Sequence, residues 1–521
     1  MNADSFEWQV PSEFNFAVDV VDAWAKDETR IALLAVNDTG NEKTYTFADI
    51  SHASKQLANL LQRKGLKQGD RVMVMLPRIA EWQIVMTAVM RLGAVPIPCI
   101  TMLTAKDIEY RVQHSGARGV ITLSEESEKY ANCGLPVQVC VGSAPEHWTS
   151  IKQAEDLPAE FEAATVKADD PAILYYTSGS TGSPKGVTHS SRAIWAWRYS
   201  AEYWLDLKEG DRIWCTADTG WSKAGTSILF GPWSQGASSL FYDGPFEPAK
   251  RLAFLEKYEV TCFCAAATEL RRLILEDVSQ YDLSKLKSTV SAGESVNPEV
   301  IERWHGLTGT TVLDGYGQTE TLMTVTNRPG REVKPGSMGL PLPGLEVGAY
   351  DAEAQTVSPF GAGELVLALP YPQLMLGYWQ DPQRTEQTQL EVGDRSWYAT
   401  GDNVEIDNDG YVFYTGRADD IINSSGYRIG PQEVENALSE HAAVLECAVV
   451  GIPDEERGEL VKAWVVLAPG YSAADDLVKA LQDHAKATTA PYKYPRKIAF
   501  AEDLPKTVSG KIRRNVLRER L

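Results

Sequence analysis

The first part of the chain alternates between short apolar runs and segments with helical spacing. Residues 47–64 place apolar side chains three or four positions apart, which is typical of an amphipathic helix. The apolar run 71–76 predicts a buried strand, and residues 81–92 predict the helix that follows it. Further strands are predicted at residues 119–123, 137–141, 171–176, 212–215, 239–242, 260–263 and 288–291. This alternation indicates a doubly wound α/β domain.

The pattern changes near Gly336, where short alternating segments separated by Gly and Pro replace the helices. Residues 345–350 and 363–368 are two such segments, and they indicate a β-rich part over about 336–416. We therefore predict a large N-terminal domain, residues 1–416, in which doubly wound α/β subdomains carry a β-rich subdomain.

Residues 417–521 are predicted to form a separate, small α+β domain of roughly 100 residues. Gly430-Pro431 predicts a helix start, because proline suits the first turn of a helix. Two β runs follow at residues 445–450 and 461–467. The predicted fold class is thus α/β, with a large N-terminal domain and a small α+β C-terminal domain.

Composition and charge narrow the classes of protein and partner. The chain has 521 residues, 44% of them hydrophobic and 23% charged, which is ordinary for a soluble globular protein. It lacks an apolar run of about 18 residues and a secretory start, so stable membrane insertion is not expected. A net charge of −21 should repel nucleic acid and anionic membranes, so neither is an expected partner.

The seven cysteines are scattered and odd in number, which favours free thiols in a reducing cytoplasm. Cys262 and Cys264 alternate along a predicted strand and are interpreted as core residues rather than metal ligands. The seven histidines are dispersed and predict no metal cluster.

The most informative motif is a loop of small hydroxyl residues and glycines, residues 177–186, that follows a predicted buried strand. Glycines let the backbone approach an anion, while N–H groups and hydroxyls point at its oxygens. A Walker A loop has Gly-Lys followed by Ser or Thr, whereas here Pro184 precedes Lys185 and Gly186 follows it. The loop therefore indicates nucleotide chemistry of another class; the alternative is a mobile surface loop.

Three further motifs follow along the chain, and the first comes after a predicted strand. Residues 291–295 form a small polar turn, and residues 314–320 place an aromatic ring between glycines before Thr319 and Glu320. An aromatic ring can stack on a base, Thr can bind a phosphate oxygen, and a carboxylate can hold Mg²⁺. Asp402 follows another strand and suits sugar hydroxyls.

Two dense motifs lie in the C-terminal part, at residues 416–431 and around Lys511, which follows Gly510 in a predicted tight turn. Each motif has an ordinary alternative when taken singly. Glu320 could be a helix-start acid, Asp419-Asp420 a solvated pair, and Lys511 simple surface charge. Together, the order and spacing are much more specific.

From about residue 47 to residue 514, the motifs closely resemble the acyl- and aryl-CoA synthetase branch of the adenylate-forming, or AMP-binding, enzymes. Residues 416–435 and 490–497 look particularly like the medium-chain acyl-CoA synthetases. The resemblance implies an AMP-forming acid–thiol ligase. A carboxylate attacks the α-phosphate of ATP, pyrophosphate leaves, and CoA then displaces AMP from the acyl-adenylate. The implied ligands are ATP, Mg²⁺, CoA and a small carboxylic acid, and the implied assembly is a monomer or homo-oligomer.

The resemblance also implies roles for individual residues. Thr319 would contact the α-phosphate, Glu320 would bind Mg²⁺, and Lys511 would bridge the carboxylate and the α-phosphate as the catalytic cation. Asp402 and Arg417 would hold the ribose. The remaining ATP-binding residues implied are Thr177, Ser178, Gly179, Ser180, Thr181, Gly182, Lys185, Gly293, Glu294, Ser295, Asp314, Gly315, Tyr316, Gly317 and Gln318.

For the second half-reaction the family swings a mobile C-terminal domain, and the matching hinge here is Asp419. The implied CoA-binding residues are Ser425, Gly426, Tyr427, Arg428, Arg457 and Lys486. The implied acyl pocket involves Trp221, Ala266 and Gly317. Residues 314–320 contain no tryptophan that would shorten this pocket, so medium-chain, branched short-chain and aromatic acids are all expected substrates. Lys223 is expected to point to the surface; the alternative is that it meets a polar or acidic tail of the substrate.

Other functions stay open at this point. An adenylating enzyme that passes its acyl group to a carrier protein is the main alternative, and a luciferase-like oxygenase is compatible with the fold. Asp218-Thr219-Gly220 would suit an aspartic hydrolase only with a second such motif, which the β-rich part lacks. A purely structural protein conflicts with the phosphate loop, Glu320 and Lys511 occurring together.

Overall fold

A computed structural model of the protein describes residues 6–177, 184–417, 420, 422–424, 427–454, 457–489, 493–506 and 512–520. The helices are α1 (Phe47–Arg63), α2 (Ala80–Arg91), α3 (Ala105–Ser115), α4 (Ser191–Ala196), α5 (Arg198–Tyr203), α6 (Ser222–Ala224), α7 (Phe230–Ser234), α8 (Pro248–Lys257), α9 (Ala267–Leu273), α10 (Pro298–Thr308), α11 (Pro382–Glu386), α12 (Pro431–Ser439), α13 (Asp475–Thr488) and α14 (Arg514–Glu519). Short 3₁₀ or π-helical turns lie at Ala17–Asp22, Ser124–Tyr130, Ile151–Ala154, Gly225–Leu229 and Val278–Gln280.

The strands are β1 (Ile31–Asn37), β2 (Glu42–Thr46), β3 (Arg71–Met75), β4 (Val95–Pro98), β5 (Gly119–Leu123), β6 (Val137–Val141), β7 (Thr149–Ser150), β8 (Pro171–Thr177), β9 (Lys185–Ser190), β10 (Arg212–Cys215), β11 (Ser238–Asp243), β12 (Cys262–Cys264), β13 (Ser288–Ala292), β14 (Val312–Gln318), β15 (Leu322–Thr326), β16 (Ser337–Pro341), β17 (Val347–Asp351), β18 (Thr356–Ser358), β19 (Gly361–Ala368), β20 (Gly377–Tyr378), β21 (Gln389–Val392), β22 (Arg395–Ile406), β23 (Val412–Arg417), β24 (Ile422–Ser424), β25 (Tyr427–Ile429), β26 (Val444–Asp454), β27 (Gly458–Leu467) and β28 (Lys497–Phe500).

Helix α1 shows how local sequence sets an element. Thr46 and Asp49 form a capping box, in which each side chain accepts a hydrogen bond from the other residue's backbone N–H. Phe47, Ile50 and Leu57 repeat at helical spacing and are buried in the main core. The helix predicted over residues 47–64 is confirmed.

One long mixed sheet runs through the N-terminal domain, in the order β18-β17-β19-β22-β23-β16-β15-β14-β13-β12-β10-β11-β1-β2. Its central strands, β10 to β14, pair in parallel, as a doubly wound α/β domain requires. The predicted β-rich part is continuous with this sheet, because β16 pairs with β15 on one side and with β23 on the other. A second, parallel sheet has the order β4-β3-β5-β6-β7.

The smaller C-terminal domain has its own sheet, in the order β25-β24-β27-β26 with β28 beside β27. Its core includes Val434 and Leu438, which lie on the inner face of α12. This helix begins at Pro431, as predicted. Gly430 lies against the larger domain, where an added Cβ atom would be 2.0 Å from the backbone oxygen of Thr415. Only a residue without a side chain fits this approach.

Across the described ranges, no helix has both the length and the apolar character needed to cross a membrane.

Candidate active site

A large cavity of about 2420 Å³ lies between the two domains. It opens at the carboxyl ends of β10, β12 and β13, the edge at which α/β sheets bind ligands. Typical small-molecule pockets have about 300–1,000 Å³. The cavity therefore has room for more than one ligand.

The predicted phosphate loop is the connection of a β-hairpin. Strands β8 and β9 pair antiparallel, with Thr177 opposite Lys185. This differs from a Walker A loop, which leads from a strand into a helix. Thr177 and Lys185 line the cavity. The other predicted phosphate-binding residues of this loop lie outside the described residues: Ser178, Gly179, Ser180, Thr181 and Gly182.

Glu320 lies at the centre of a small buried ionic group. Its carboxylate accepts a hydrogen bond of 2.8 Å from the Tyr378 hydroxyl and lies 3.2 Å from Nζ of Lys185. Nζ of Lys185 also donates to the Tyr378 hydroxyl at 3.0 Å. Glu320 is 8% exposed and lines the cavity. The carboxylate of Glu320 thus faces the ligand space beside a cation.

Thr319 is held on both sides. Its hydroxyl lies 3.5 Å from that of Ser222, and its backbone oxygen accepts a hydrogen bond of 2.6 Å from Nε2 of His189. His189 is fully buried on β9, and burial lowers the pKa of its imidazole to about 4. The imidazole is therefore neutral at pH 7.

The side chain of Asp402 on β22 contacts residues near the carboxyl ends of β14 and β23. Its Oδ2 accepts hydrogen bonds from the Tyr316 hydroxyl at 2.5 Å and from Nε2 of Gln318 at 2.6 Å. Its Oδ1 lies 3.4 Å from Nη1 of Arg417, its register partner on β23. Asp402 is 3% exposed and lines the cavity together with the other three. A buried carboxylate with these partners is fixed in position.

The polar turn after β13 faces the same cavity. Gly293, Glu294 and Ser295 all line it, and Gly293 has a φ of +100°, which favours glycine. Glu294 accepts a hydrogen bond from the Thr268 backbone N–H at 3.1 Å. Nearby, burial raises the pKa of Asp314 to about 7, although the Val296 and Gly315 N–H groups oppose this shift.

The predicted acyl-pocket residues Trp221, Ala266 and Gly317 also line the cavity. An added Cβ atom on Gly317 would lie 1.9 Å from the backbone oxygen of Leu322, so this close strand contact requires glycine. Gly315 faces Trp204, which contributes to the same apolar wall. We use the term apolar wall for the apolar lining residues Trp204, Trp221, Ala266, Leu322 and Met323.

The expectation that Lys223 points to the surface is wrong. Its Nζ donates a hydrogen bond of 2.9 Å to the backbone oxygen of Ala292, and the residue lines the cavity. Burial lowers the pKa of Lys223, but the neighbouring Cys264, Cys215 and acidic groups reverse this effect and raise it. The lysine is therefore a charged residue inside the site, tied to the end of β13.

The structure describes the predicted CoA and hinge residues only in part. Asp419, Ser425, Gly426 and Lys511 lie outside the described residues, as do the side chains of Tyr427 and Arg428, whose backbone forms β25. The described residues on either side of Lys511 include Lys506, Ile512 and Arg513, which line the cavity with Thr319.

Arg457 and Lys486 lie on the C-terminal domain away from the described cavity lining. The Arg457 backbone N–H donates to Asp454 at 3.0 Å. Lys486 pairs with Asp483 at 3.2 Å and lies 4.3 Å from the ring centroid of Tyr494. The structure therefore does not bring these two residues to the site already described.

The comparisons with known proteins match both domains. The AMP-binding enzyme family model matches residues 21–379, and the model of the AMP-binding enzyme C-terminal domain matches residues 433–511. The chain belongs to the AMP-binding enzyme family. The first of these matches spans the hairpin loop and Glu320, and the second contains Lys511.

Full-length relatives place this AMP-binding enzyme in the acyl-CoA synthetase branch. Mouse (Mus musculus) acyl-coenzyme A synthetase ACSM3, mitochondrial, is 42% identical, over 99% of this chain and 92% of the relative. The anthranilate CoA ligase AuaEII, solved with anthranoyl-AMP, is 31% identical with a TM-score of 0.89, over 100% and 99% of the two chains. The acyl-CoA synthetase of Brucella canis is 34% identical with a TM-score of 0.77, over 99% and 98%. The chain is therefore an AMP-forming ligase.

Sequence reasoning missed several residues of this AMP-binding enzyme. Tyr378 meets Lys185 although 193 positions separate them, and no local pattern marks this contact. The sequence contains only a weak indication that His189 belongs to the site, because the alternation along β9 places it on the same side of the strand as Lys185. Trp204 is one of many tryptophans, and only the fold shows that it faces Gly315.

Proposed function

We propose that this enzyme activates an apolar carboxylic acid with ATP and Mg²⁺ and transfers the acyl group to free CoA. The observation that carries the proposal is one cavity lined by Thr177, Lys185, Thr319, Glu320, Asp402 and Arg417 beside an apolar wall. Phosphate-binding, sugar-binding and acyl-binding side chains thus face the same space. Its volume of about 2420 Å³ suits a nucleotide and an acid together.

The nucleotide would bind along the strand ends of the larger domain. Asp402 and Arg417 would hold the ribose hydroxyls, since a fixed carboxylate accepts hydrogen bonds from a diol. The turn at residues 293–295 and residues 314–316 would line the adenine. Lys185 and the loop before it would bind the β- and γ-phosphates, and Thr319 the α-phosphate.

Glu320 fits a Mg²⁺ ligand. Magnesium in nucleotide sites is held by one or two carboxylates together with phosphate oxygens and water. Glu320 offers one buried carboxylate that faces the cavity, and Lys185 beside it limits the negative charge. The bound ion would neutralise phosphate charge, while Glu320 fixes its position.

Lys511 would supply the cation that stabilises the pentacoordinate α-phosphate. Preorganised charge of this kind contributes several kcal/mol to the transition state. The cavity is lined by residues just before and after Lys511, which supports this placement. For the thioester step, a swing about Asp419 would exchange Lys511 for the CoA site at Ser425, Gly426, Tyr427 and Arg428, with Arg457 and Lys486 holding the CoA nucleotide.

The substrate class follows from the apolar wall. Trp204, Trp221, Leu322 and Met323 are apolar and line the cavity, and Nζ of Lys223 donates one hydrogen bond to the backbone oxygen of Ala292. We therefore assign medium-chain, branched short-chain or aromatic acids. The relative solved with anthranoyl-AMP supports an aromatic acyl group within this range.

A cytoplasmic location is part of the proposal. All seven cysteines are free thiols, as expected in a reducing compartment. The mouse relative carries the word mitochondrial in its name, and a mitochondrial location would fit the thiols equally well. Cell fractionation with an antibody against the chain distinguishes the two.

The deciding experiment measures pyrophosphate and AMP release from ATP-Mg²⁺ across a panel of carboxylic acids, with and without CoA. We expect release that depends on an apolar acid, and an acyl-CoA product when CoA is present. Lys511→Ala should abolish adenylation, whereas Lys479→Ala, an exposed lysine on α13, should not. Release with transfer only to a phosphopantetheinyl carrier protein, or no release with any acid, would refute the proposal.

A further inference from the structure

A network of two arginines and two carboxylates lies in the C-terminal domain, and all four residues line the cavity described above. Nη2 of Arg514 lies 2.8 and 2.9 Å from the two carboxylate oxygens of Glu435. Nη1 of Arg514 is 3.7 Å from Asp420, which also accepts a hydrogen bond of 2.5 Å from Arg518. Glu435 is 7% exposed and Asp420 15% exposed at their side chains. The four charges balance in a mostly buried setting.

The network connects four separate segments. Asp420 follows Arg417 by three residues, and Arg514 follows Lys511 by three residues. Glu435 lies on α12 and also accepts a hydrogen bond of 2.7 Å from the Val449 N–H on β26. Arg514 thereby ties the segment after Lys511 to the connection between the domains and to the core of the smaller domain.

The base of the Lys511 segment is closed by backbone contacts. Lys506 and Ile512 form an antiparallel bridge, and the Arg513 N–H donates to the Pro505 oxygen at 2.8 Å. These contacts hold Pro505 and Lys506 next to Ile512 and Arg513, and Nζ of Lys506 donates a hydrogen bond of 2.8 Å to Glu446 on β26. The side chain of Arg514, immediately after them, provides the attachment to α12 and Asp420.

Removing one charge from such a network destabilises the structure around it strongly. A buried ion pair adds little net attraction, because both charges lose water, but removing one partner leaves the other charge buried and uncompensated. Without the guanidinium, Glu435 and Asp420 would repel each other and seek water. The segments they hold would then shift, and a misplacement of about 1 Å can slow an enzyme by about 100-fold.

We propose that Arg514 is a positioning residue for the adenylation half-reaction, acting through Glu435 and Asp420 on the segment that carries Lys511. This inference rests on the proposed function, in which Lys511 acts only in adenylation. Loss of Arg514 therefore slows adenylation selectively and leaves the displacement of AMP by CoA largely intact. A residue needed only for folding would affect both steps alike.

The test compares the two half-reactions in four variants. Arg514→Gln removes the charge, Arg514→Lys keeps it, and Asp420→Asn weakens the network from its other side. Arg520→Gln makes the same charge change at an exposed position on the same C-terminal segment. Adenylation is followed by acid-dependent ATP–pyrophosphate exchange, and thioester formation by AMP release from synthetic acyl-adenylate on adding CoA.

We expect Arg514→Gln to lower kcat of the exchange by about 10- to 100-fold with an unchanged KM for ATP. Thioester formation should stay within about twofold of the parent enzyme. Arg514→Lys should recover most of the loss, Asp420→Asn should show a smaller selective loss, and Arg520→Gln should match the parent.

Unchanged exchange in Arg514→Gln, an equal loss in both steps, or a rise in KM for ATP alone would overturn the inference. If Arg514→Gln does not fold, the same criteria apply to Arg514→Lys and Asp420→Asn, which perturb the network less. A parent enzyme without acid-dependent exchange would instead overturn the proposed function, and the inference with it.

Discussion

His189 makes the stability of this enzyme depend on pH in a calculable way. The imidazole is fully buried and donates from Nε2 to the Thr319 oxygen at 2.6 Å. Burial lowers the pKa of His189 from 6.5 to about 4 in the folded protein. The unfolded chain therefore takes up a proton at a higher pH than the folded chain does.

The sign and size of this pH dependence follow from the linkage between proton binding and folding. A depressed pKa contributes stability that is complete above the unfolded value of 6.5 and is lost as the pH falls through about 4. The shift corresponds to about 3 kcal/mol in all, at 1.36 kcal/mol per unit of pKa. About 2 kcal/mol of this is already lost at pH 5, because the unfolded state is by then almost fully protonated.

His189→Gln tests this reasoning, since an amide keeps a donor for Thr319 but does not titrate. The measurement is the free energy of unfolding in urea at pH 8 and pH 5 for both proteins. The loss of stability between these values should be about 2 kcal/mol smaller in the variant. His189→Phe, which lacks the donor, should be less stable than His189→Gln at both pH values, by about 1–3 kcal/mol.

His147→Gln is the matched control, because His147 is exposed and should leave the pH dependence unchanged. An equal loss of stability in the parent and His189→Gln would refute the argument. It would mean that the imidazole takes up a proton in the folded state without cost.

Three other outcomes are expected. Tyr316→Phe removes a 2.5 Å hydrogen bond to the carboxylate of Asp402 and should raise KM for ATP about tenfold in the exchange assay; an unchanged KM would contradict this. The pKa of Asp314 is raised from 3.8 to about 7 in the folded protein, so its contribution to stability is complete below pH 3.8 and is lost as the pH rises through 7. Asp314→Asn should therefore lose less free energy of unfolding in urea between pH 5 and pH 8 than the parent enzyme. Gly430→Ala places a Cβ atom 2.0 Å from a backbone oxygen and should lower Tm, at a cost of about 1–3 kcal/mol, while Gly306→Ala, with open space around it on α10, should not.

Local sequence patterns predicted the positions of several strands well. The strands expected at residues 119–123 and 137–141 have those bounds in the structure, and the buried Cys262–Cys264 strand is confirmed. Each of these strands depends on the pattern of neighbouring side chains, and this pattern is present in any short window of sequence. The motifs at residues 291–295 and 314–320 also lie at strand ends or along a strand that lines the cavity.

Contacts between distant segments could not be predicted in this way. The Lys185–Tyr378–Glu320 group joins three segments. The pairing of β20 with β9 brings Tyr378 to Lys185, and a hydrogen bond of 2.8 Å from the Met375 N–H to the Glu320 backbone oxygen brings in the third segment. The orientation of Lys223 was predicted wrongly because a lone lysine usually seeks water. Here the carbonyl at the end of β13 and nearby acidic groups compensate its burial.

The continuity of the long sheet limits how this protein can be divided. Strand β15 is buried along its whole length and is covered on its outer side by β16. A fragment that stopped before β16 would expose the buried strand β15 as an edge with unpaired N–H and C=O groups, and such edges recruit strands from other molecules. Recombinant fragments of the α/β part alone should therefore aggregate, and exchange of modules between relatives should succeed only at junctions after β23.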